Sequence, residues 1–103
     1  MVFDYSDNVL TAFIDGEIDH HTAVSIREAI DEKILKDKPS VLRLDYGGVT
    51  FMDSSGIGLI MGRYKLITSC SGKLEVTNIP RNIAKVVKLS GVEKLCKITV
   101  KEN

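Results

Sequence analysis

Short apolar segments alternate with segments of helical periodicity along this sequence, and that alternation constrains the fold more than any other feature. Two apolar segments come first in direct succession, and each later one is separated from the next by apolar residues recurring every three or four positions. Strand–helix–strand crossovers join parallel strands by right-handed connections. The sequence therefore predicts an α/β domain with one mixed, largely parallel sheet of about five strands and about three helices, in the order β-β-α-β-α-β-α-β.

The predicted strands are short, and turn residues separate the first two. Ser6-Asp7-Asn8 is typical turn chemistry and predicts a hairpin. The third strand is expected to be central and the last to lie at an edge. The predicted strands are Val2–Tyr5, Val9–Ile14, Val41–Asp45, Lys73–Thr77 and Lys97–Val100.

Three details of the sheet follow from local sequence. Apolar residues on both faces of Val9–Ile14 predict a strand that is covered on both sides. Tyr46-Gly47-Gly48 is expected to form a turn. Phe51, in the loop that follows, is expected to anchor that loop in the core.

The helical segments have recognisable beginnings and ends. The first runs to about Leu35 and is capped by Asp19 or Thr22. The second extends from about Ser54 to Ser69, and the third opens at Pro80. The buried stripe of the second helix is expected to consist of Ile57, Ile60, Met61, Tyr64 and Ile67.

Two glycines one turn apart, Gly58 and Gly62, lie on one face of the second predicted helix. Each costs about 1 kcal/mol in a helix interior relative to alanine. Their presence therefore predicts close packing or a partner contact on that face.

Length, charge and cysteine content exclude several classes of function. The 103 residues predict a single domain, residues 1–103. With 14 basic and 14 acidic residues, no net field favours nucleic acid or an anionic membrane. Apolar runs are too short to span a bilayer, and the N-terminus lacks the pattern of a signal peptide. Cys70 and Cys96, far apart in no CxxC pattern, predict reduced thiols in a cytoplasmic protein.

The segment between the third strand and the second helix is best suited to a functional site. Asp53 and Ser54 both suit an N-cap, because their side-chain oxygens can accept free backbone N–H groups. Anions are favoured at a helix N-terminus, so a serine there is well placed to carry phosphate. Functional loops leave the carboxyl ends of parallel strands, which places Gly16–Thr22 and Tyr46–Ser55 at one edge. Asp19 and Ser54 are therefore expected to be neighbours in space.

Other chemistries could use the same residues, but the patterns support them poorly. Asp-Ser-Ser-Gly around Ser54 is not the G-x-S-x-G of a serine hydrolase, and His20 or His21 would need an orienting partner to act as a base. No cysteine or carboxylate cluster completes a metal site with the two histidines. A dinucleotide loop would require glycine where Met61 stands. These patterns predict no enzyme, metal or cofactor, and they leave Ser55 as an alternative phosphate acceptor.

Two blocks of this sequence resemble a known family. They are Gly16-Glu-Ile-Asp-His-His-Thr-Ala23 and Phe51-Met-Asp-Ser-Ser-Gly-Ile-Gly58, which continues as Leu-Ile-Met-Gly-Arg-Tyr-Lys65. They resemble the bacterial anti-sigma factor antagonists, which are STAS domains, and most closely the sporulation-type antagonist. The resemblance extends from about Val9 to Gly91. Family members commonly carry a further helix after the last strand, for which this sequence has no room.

The resemblance implies a phosphorylation switch between two proteins. In the family, the unphosphorylated antagonist binds an anti-sigma factor that is also a serine kinase with a histidine-kinase-like ATPase fold, and the sigma factor is released. Ser54 matches the serine that the kinase phosphorylates, and a PP2C-type phosphatase resets it. The implied partner-binding residues are Asp19, His20, Asp53, Ser55 and Gly56. A STAS module with another partner, such as a stress-response scaffold or a small-ligand sensor, remains an alternative.

Overall fold

The computed structural model describes residues 1–102, which form a five-stranded sheet and three α-helices. The predicted order of elements is confirmed. A 3-10 turn, Val92–Lys94, precedes the last strand. The elements are β1 (Val2–Ser6), β2 (Val9–Ile18), α1 (Thr22–Asp37), β3 (Val41–Met52), α2 (Ser54–Ser69), β4 (Lys73–Ile79), α3 (Arg81–Leu89) and β5 (Lys97–Val100).

The sheet has the strand order β1-β2-β3-β4-β5. β1 is antiparallel to β2, and the remaining pairs are parallel. Asp7 and Asn8 adopt positive φ values of 52° and 64°, which suit a tight hairpin turn. The predicted hairpin, the central position of β3 and the edge position of β5 are therefore confirmed.

The hydrophobic core lies between one face of the sheet and the helices. Alternate residues of the inner strands are buried on that face, including Leu42, Leu44 and Val76. The opposite face is polar and partly open, and Arg43 Nε pairs there with Glu75 Oε1 at 2.9 Å. Phe13 is 43% exposed, so the prediction that β2 is covered on both sides is wrong. Within residues 1–102, no helix is long and apolar enough to cross a membrane.

Strands β2 and β3 are both longer than predicted. β3 continues through Tyr46-Gly47-Gly48, so the predicted turn is wrong, and β2 continues to Ile18. Their pairing shifts register between Phe13 and Asp15 and again between Gly16 and Glu17. Glycine is suited to both irregularities. Gly16 has a φ of 77°, which glycine adopts without strain, and a Cβ on Gly48 would lie too close to Asp15 Cβ, at 2.9 Å. The glycines thus bend a continuous pair of strands and do not end it.

The inward-facing residues at the end of β3 also differ from the prediction. Val49 and Met52 are buried, whereas Phe51 is 50% exposed. The prediction that Phe51 anchors a loop in the core is therefore wrong, because the segment is a strand whose register turns Phe51 outward.

Helix α2 buries Ile60 and Ile67 as predicted, but the rest of its buried stripe differs from the prediction. The predicted Ile57, Met61 and Tyr64 are only half-buried. An arginine occupies the centre of the buried stripe, which a search for apolar periodicity does not find. The buried residues are Gly56, Leu59, Ile60, Arg63 and Ile67.

Tyr46 is fully buried at the centre of the sheet. Its hydroxyl has no hydrogen-bond partner within residues 1–102. Burial raises the pKa of Tyr46 well above its usual value, and the nearby Cys96 thiol adds to that shift. No protein group of the described chain replaces the hydration of this hydroxyl, which is a cost to the folded state.

We expect Tyr46→Phe to leave the free energy of unfolding unchanged or to raise it by up to about 1 kcal/mol, because it removes an unpaired buried hydroxyl. Tyr5→Phe is the matched control. The Tyr5 hydroxyl donates to Asn8 Oδ1 or the Asp37 carbonyl, each at 3.3 Å, so its removal should lower stability by about 0.5 kcal/mol. Urea unfolding measures both variants. A larger loss for Tyr46→Phe than for Tyr5→Phe would contradict the prediction.

Candidate docking site at the carboxyl edge of the sheet

Strands β2 and β3 end side by side, and the candidate site follows directly from both ends. Ile18 is in register with Met52, and the Asp53 N–H donates to the Ile18 carbonyl at 3.1 Å. Asp19 directly follows the end of β2, and Ser54 comes two residues after the end of β3. The structure thus brings the two predicted loop segments together at one edge.

Asp53 is the N-cap of helix α2. Its backbone is extended, and its Oδ1 accepts the Ser55 N–H at 2.8 Å. The Gly56 N–H donates to the Asp53 carbonyl at 3.0 Å. Ser54 is the first residue of the helix and is exposed, and its hydroxyl makes no hydrogen bond to the part of the chain that the structure describes. Of the two residues that suit a cap, Asp53 serves as one, and the Ser54 hydroxyl stays available at the positive end of the helix.

Asp19 and Thr22 build the start of helix α1 together. Asp19 Oδ1 accepts the N–H groups of His21 and Thr22, each at 2.9 Å. In return, the Asp19 N–H donates to Thr22 Oγ1 at 2.9 Å. These bonds, first the one from Thr22, lower the pKa of Asp19 below its usual value of 3.8. The Asp19 carboxylate is therefore both ionised and fixed in direction at neutral pH.

The lowered pKa of Asp19 makes its contribution to stability dependent on pH. A depressed pKa in the folded state gives stability above the unfolded pKa that is lost as pH falls through the folded pKa. Asp19→Asn keeps an acceptor oxygen but removes the charge. We expect wild type to exceed this variant in unfolding free energy near pH 6, and the difference to shrink below about pH 4. Urea unfolding at a series of pH values measures this, and a difference independent of pH would contradict it.

The glycines of helix α2 have two different environments. A Cβ on Gly56 would overlap the buried side chain of Met52, so glycine is required for the helix start to approach β3. A Cβ on Gly58 or Gly62 would meet nothing within 4 Å. The prediction of close packing at Gly58 and Gly62 is therefore wrong, and a partner contact is the remaining explanation for them.

The glycines of α2 should respond to alanine in opposite directions. Gly58→Ala and Gly62→Ala each should raise the free energy of unfolding by about 0.5–1 kcal/mol, because alanine is the better helix former and finds open space. Gly56→Ala should lower it by about 1–3 kcal/mol, because Met52 must move. Urea unfolding of the three variants measures these changes, and equal stability of Gly56→Ala and Gly58→Ala would contradict the packing argument.

A groove between α1 and α2 opens beside Ser55. It has a volume of about 470 Å³ and contains the open faces of Gly58 and Gly62. We call it the α1–α2 groove. It is lined by His20, Ala23, Val24, Arg27, Ser55, Gly58, Leu59, Gly62 and Arg63.

Four carboxylates lie along the last residues of the paired strands and directly after them. Asp15 and Glu17 are exposed on β2, and Asp19 and Asp53 follow the two strand ends. The N-terminal ammonium of Met1 approaches Asp15 Oδ1 at 3.6 Å and offsets part of this charge. We call these four carboxylates the acidic rim, and Ser54 directly follows one of them, Asp53.

Within the described residues, this edge contains neither an activated serine nor a cluster of metal ligands. In residues 1–102, neither Ser54 nor Ser55 donates its hydroxyl to a base, as a serine nucleophile would. The exposed rings of His20 and His21 face each other, with centroids 4.0 Å apart. No group of three or more potential metal ligands occurs in the described chain. The residues present can accept and donate hydrogen bonds to a partner and expose one modifiable hydroxyl.

Residues 2–103 match the STAS domain family. The anti-sigma F factor antagonist of Paenibacillus polymyxa is 35% identical to this chain over 95 residues, which are 92% of this chain and 81% of that relative. This chain is a STAS domain of the anti-sigma factor antagonist family. The resemblance found in the sequence blocks is thereby confirmed.

Solved structures support the same assignment for this STAS domain. The anti-sigma factor antagonist SpoIIAA in its unphosphorylated form superposes with a TM-score of 0.81 at 26% identity, covering 94% of this chain and 85% of that one. The Bacillus cell fate determinant SpoIIAA in the phosphorylated form gives a TM-score of 0.73 at 26% identity, covering 94% and 88%. The STAS domain therefore shares its fold with both forms of that protein.

Most of the site was visible in the sequence, but the groove was not. Asp19, Asp53, Ser54, Ser55 and Gly56 were all assigned to this edge. Arg27, Gly62 and Arg63 were missed as a cluster, because they lie on two helices whose contact the sequence does not reveal. Apolar periodicity gives no signal for the cluster, because an arginine stands within the buried stripe, four residues after Leu59.

Proposed function

We propose that this STAS domain is an anti-sigma factor antagonist that binds an anti-sigma factor in its unphosphorylated form and thereby releases a sigma factor. The anti-sigma factor is proposed to be a serine kinase with a histidine-kinase-like ATPase fold. The observation that carries the proposal is the exposed, unbonded hydroxyl of Ser54 at the start of α2, beside Asp53 and the end of β2. Because sigma factors act with RNA polymerase, the proposed place of action is the cytoplasm.

Phosphorylation of Ser54 by that kinase is the proposed off-switch, and a PP2C-type phosphatase the proposed reset. A phosphate adds about −1.5 to −2 charges at pH 7 and three acceptor oxygens. It would lie next to Asp53 and the acidic rim, so a partner surface complementary to the unmodified site would meet excess charge and bulk. The helix N-terminus favours the same anion, which supports a modified protein that remains folded.

Exposure favours Ser54 over Ser55 as the acceptor. Ser54 is exposed, whereas Ser55 is half-buried, with its side chain toward the α1–α2 groove. A kinase must surround the acceptor hydroxyl, so Ser54 needs less rearrangement. Asp19, His20, Asp53, Ser55 and Gly56 are proposed to contact the partner around it.

Charge at Ser54 should decide binding. We expect Ser54→Asp to weaken binding to the cognate anti-sigma factor by at least about tenfold, through like-charge repulsion at the docking surface. Ser54→Ala should bind like wild type and should not be inactivated by kinase and ATP. Ser40→Asp is the matched control, because Ser40 is exposed at the opposite end of β3. Isothermal titration calorimetry measures the three affinities, and tight binding by Ser54→Asp alongside wild type would refute the charge argument.

The acceptor itself can be mapped directly. Incubation with the anti-sigma factor and ATP, followed by mass spectrometry, should place one phosphate on Ser54, and a PP2C-type phosphatase should remove it. Phosphate on neither Ser54 nor Ser55 would refute the proposed switch. Failure of the unmodified protein to bind any anti-sigma factor would instead favour a STAS module with another partner.

A further inference from the structure

Arg63 is a buried cation whose pairing is incomplete. It is 5% exposed, and its Nε lies 2.7 Å from Asp31 Oδ1, the distance of a charge-assisted pair. Its Nη1 donates one long bond, 3.5 Å, to the Leu59 carbonyl, and its Nη2 makes none within residues 1–102. A guanidinium carries five N–H donors, so most of them remain unused. These free N–H groups can donate to a further acceptor, and a carboxylate accepts such bonds most strongly.

The unused side of this guanidinium belongs to the α1–α2 groove. Arg63 lines the groove together with Arg27 and His20. Burial lowers the pKa of Arg63, Asp31 opposes that shift, and the like charge of Arg27 adds to it. Arginine nevertheless stays protonated in proteins. With Asp31 offsetting one charge, the groove keeps a net positive charge beside the acidic rim.

The way into the groove is kept free by glycine. Gly58 and Gly62 both line it, and a Cβ on either would meet open space. Their helix penalty therefore has no explanation in the packing of the isolated chain. Side chains at these two positions would fill the space in front of Arg63, whereas glycines leave room for a side chain from outside.

From these contacts, and resting on the proposed function, we propose that the α1–α2 groove receives an aspartate or glutamate side chain of the anti-sigma factor, which pairs with Arg63 and Arg27. The planar guanidinium suits two parallel bonds to one carboxylate. Because Ser55 and His20 line the groove, it is continuous with the proposed docking surface around Ser54. The complete surface would then be bipolar, with the acidic rim facing basic partner groups and the groove facing an acidic one.

Three variants test the groove without touching Ser54. Gly62→Leu fills the groove, Arg27→Glu reverses its outer charge, and Arg63→Lys keeps the ion pair with Asp31 but loses the planar fork. Each should weaken calorimetric binding to the anti-sigma factor by at least about tenfold. Thr68→Leu and Lys36→Glu are the matched controls, because they make the same kinds of change at exposed positions outside the groove. Both should bind within about twofold of wild type.

Circular dichroism and thermal unfolding verify that each variant is folded. Gly62→Leu is the decisive one, because its side chain enters open space and leaves the Arg63–Asp31 pair intact. Weakened groove variants with unaffected controls would support the proposal. If the groove variants bind like wild type while Ser54→Asp does not bind, the proposed role of the groove is refuted and the proposed function stands. A wild-type protein that does not bind the anti-sigma factor would overturn both.

A charge swap tests the acidic nature of the occupant. Each exposed Asp or Glu on the partner is replaced by Lys in turn and titrated against Arg27→Glu. We expect one partner variant to regain at least about tenfold in affinity for Arg27→Glu while losing affinity for wild type. The absence of such a variant would overturn the assignment of an acidic occupant.

Discussion

The site depends on one structural constraint: β2 and β3 stay paired beyond the rest of the sheet. The pairing of β2 with β1 extends only to Phe13, and the register of β4 with β3 ends at Asp45, but β2 and β3 continue together to Ile18 and Met52. Helices α1 and α2 begin within four residues of these two ends. The relative position of Asp19 and Ser54 is thus determined by backbone hydrogen bonds and not by flexible loops.

Cap geometry then makes the same edge rigid. Asp19 and Thr22 bond to each other's backbone, and Asp53 bonds the first turn of α2. Both helices begin on side chains that are already held in place. A surface of this kind loses little conformational freedom when a partner binds, which favours affinity without extra contact area.

The sequence predicts the fold well because periodicity and turn chemistry report local structure. Strand and helix order, the hairpin at Asp7-Asn8 and the edge location of Asp19 and Ser54 all follow from such signals. The extension of β3 does not, because Gly47-Gly48 is indistinguishable from a turn until the partner strand is known. Its bulged pairing with β2 is a tertiary effect. The exposure of Phe51 was missed for the same reason, since a shift of register reverses which side chain points inward.

Part of the candidate site can likewise be predicted from local sequence, and part of it cannot. Cap residues and the free hydroxyl of Ser54 can be inferred from the few residues around them. The α1–α2 groove cannot, because its charge comes from Arg27 on one helix and Arg63 on the other, and its space from the absence of side chains at Gly58 and Gly62. A helix-by-helix interpretation leaves both tight packing and a partner contact open for the glycine pair, and the structure shows that tight packing is absent.

The choice of Asp53 as the cap has a consequence for how long the protein persists in the cell. The helix is secured by the residue before Ser54, so a group attached to the Ser54 oxygen removes no bond that the fold uses. Cellular turnover follows the fraction of unfolded chain, and a modification neutral to stability leaves that fraction unchanged. The proposed inactive form would then accumulate as a stored pool, ready for reuse without new synthesis.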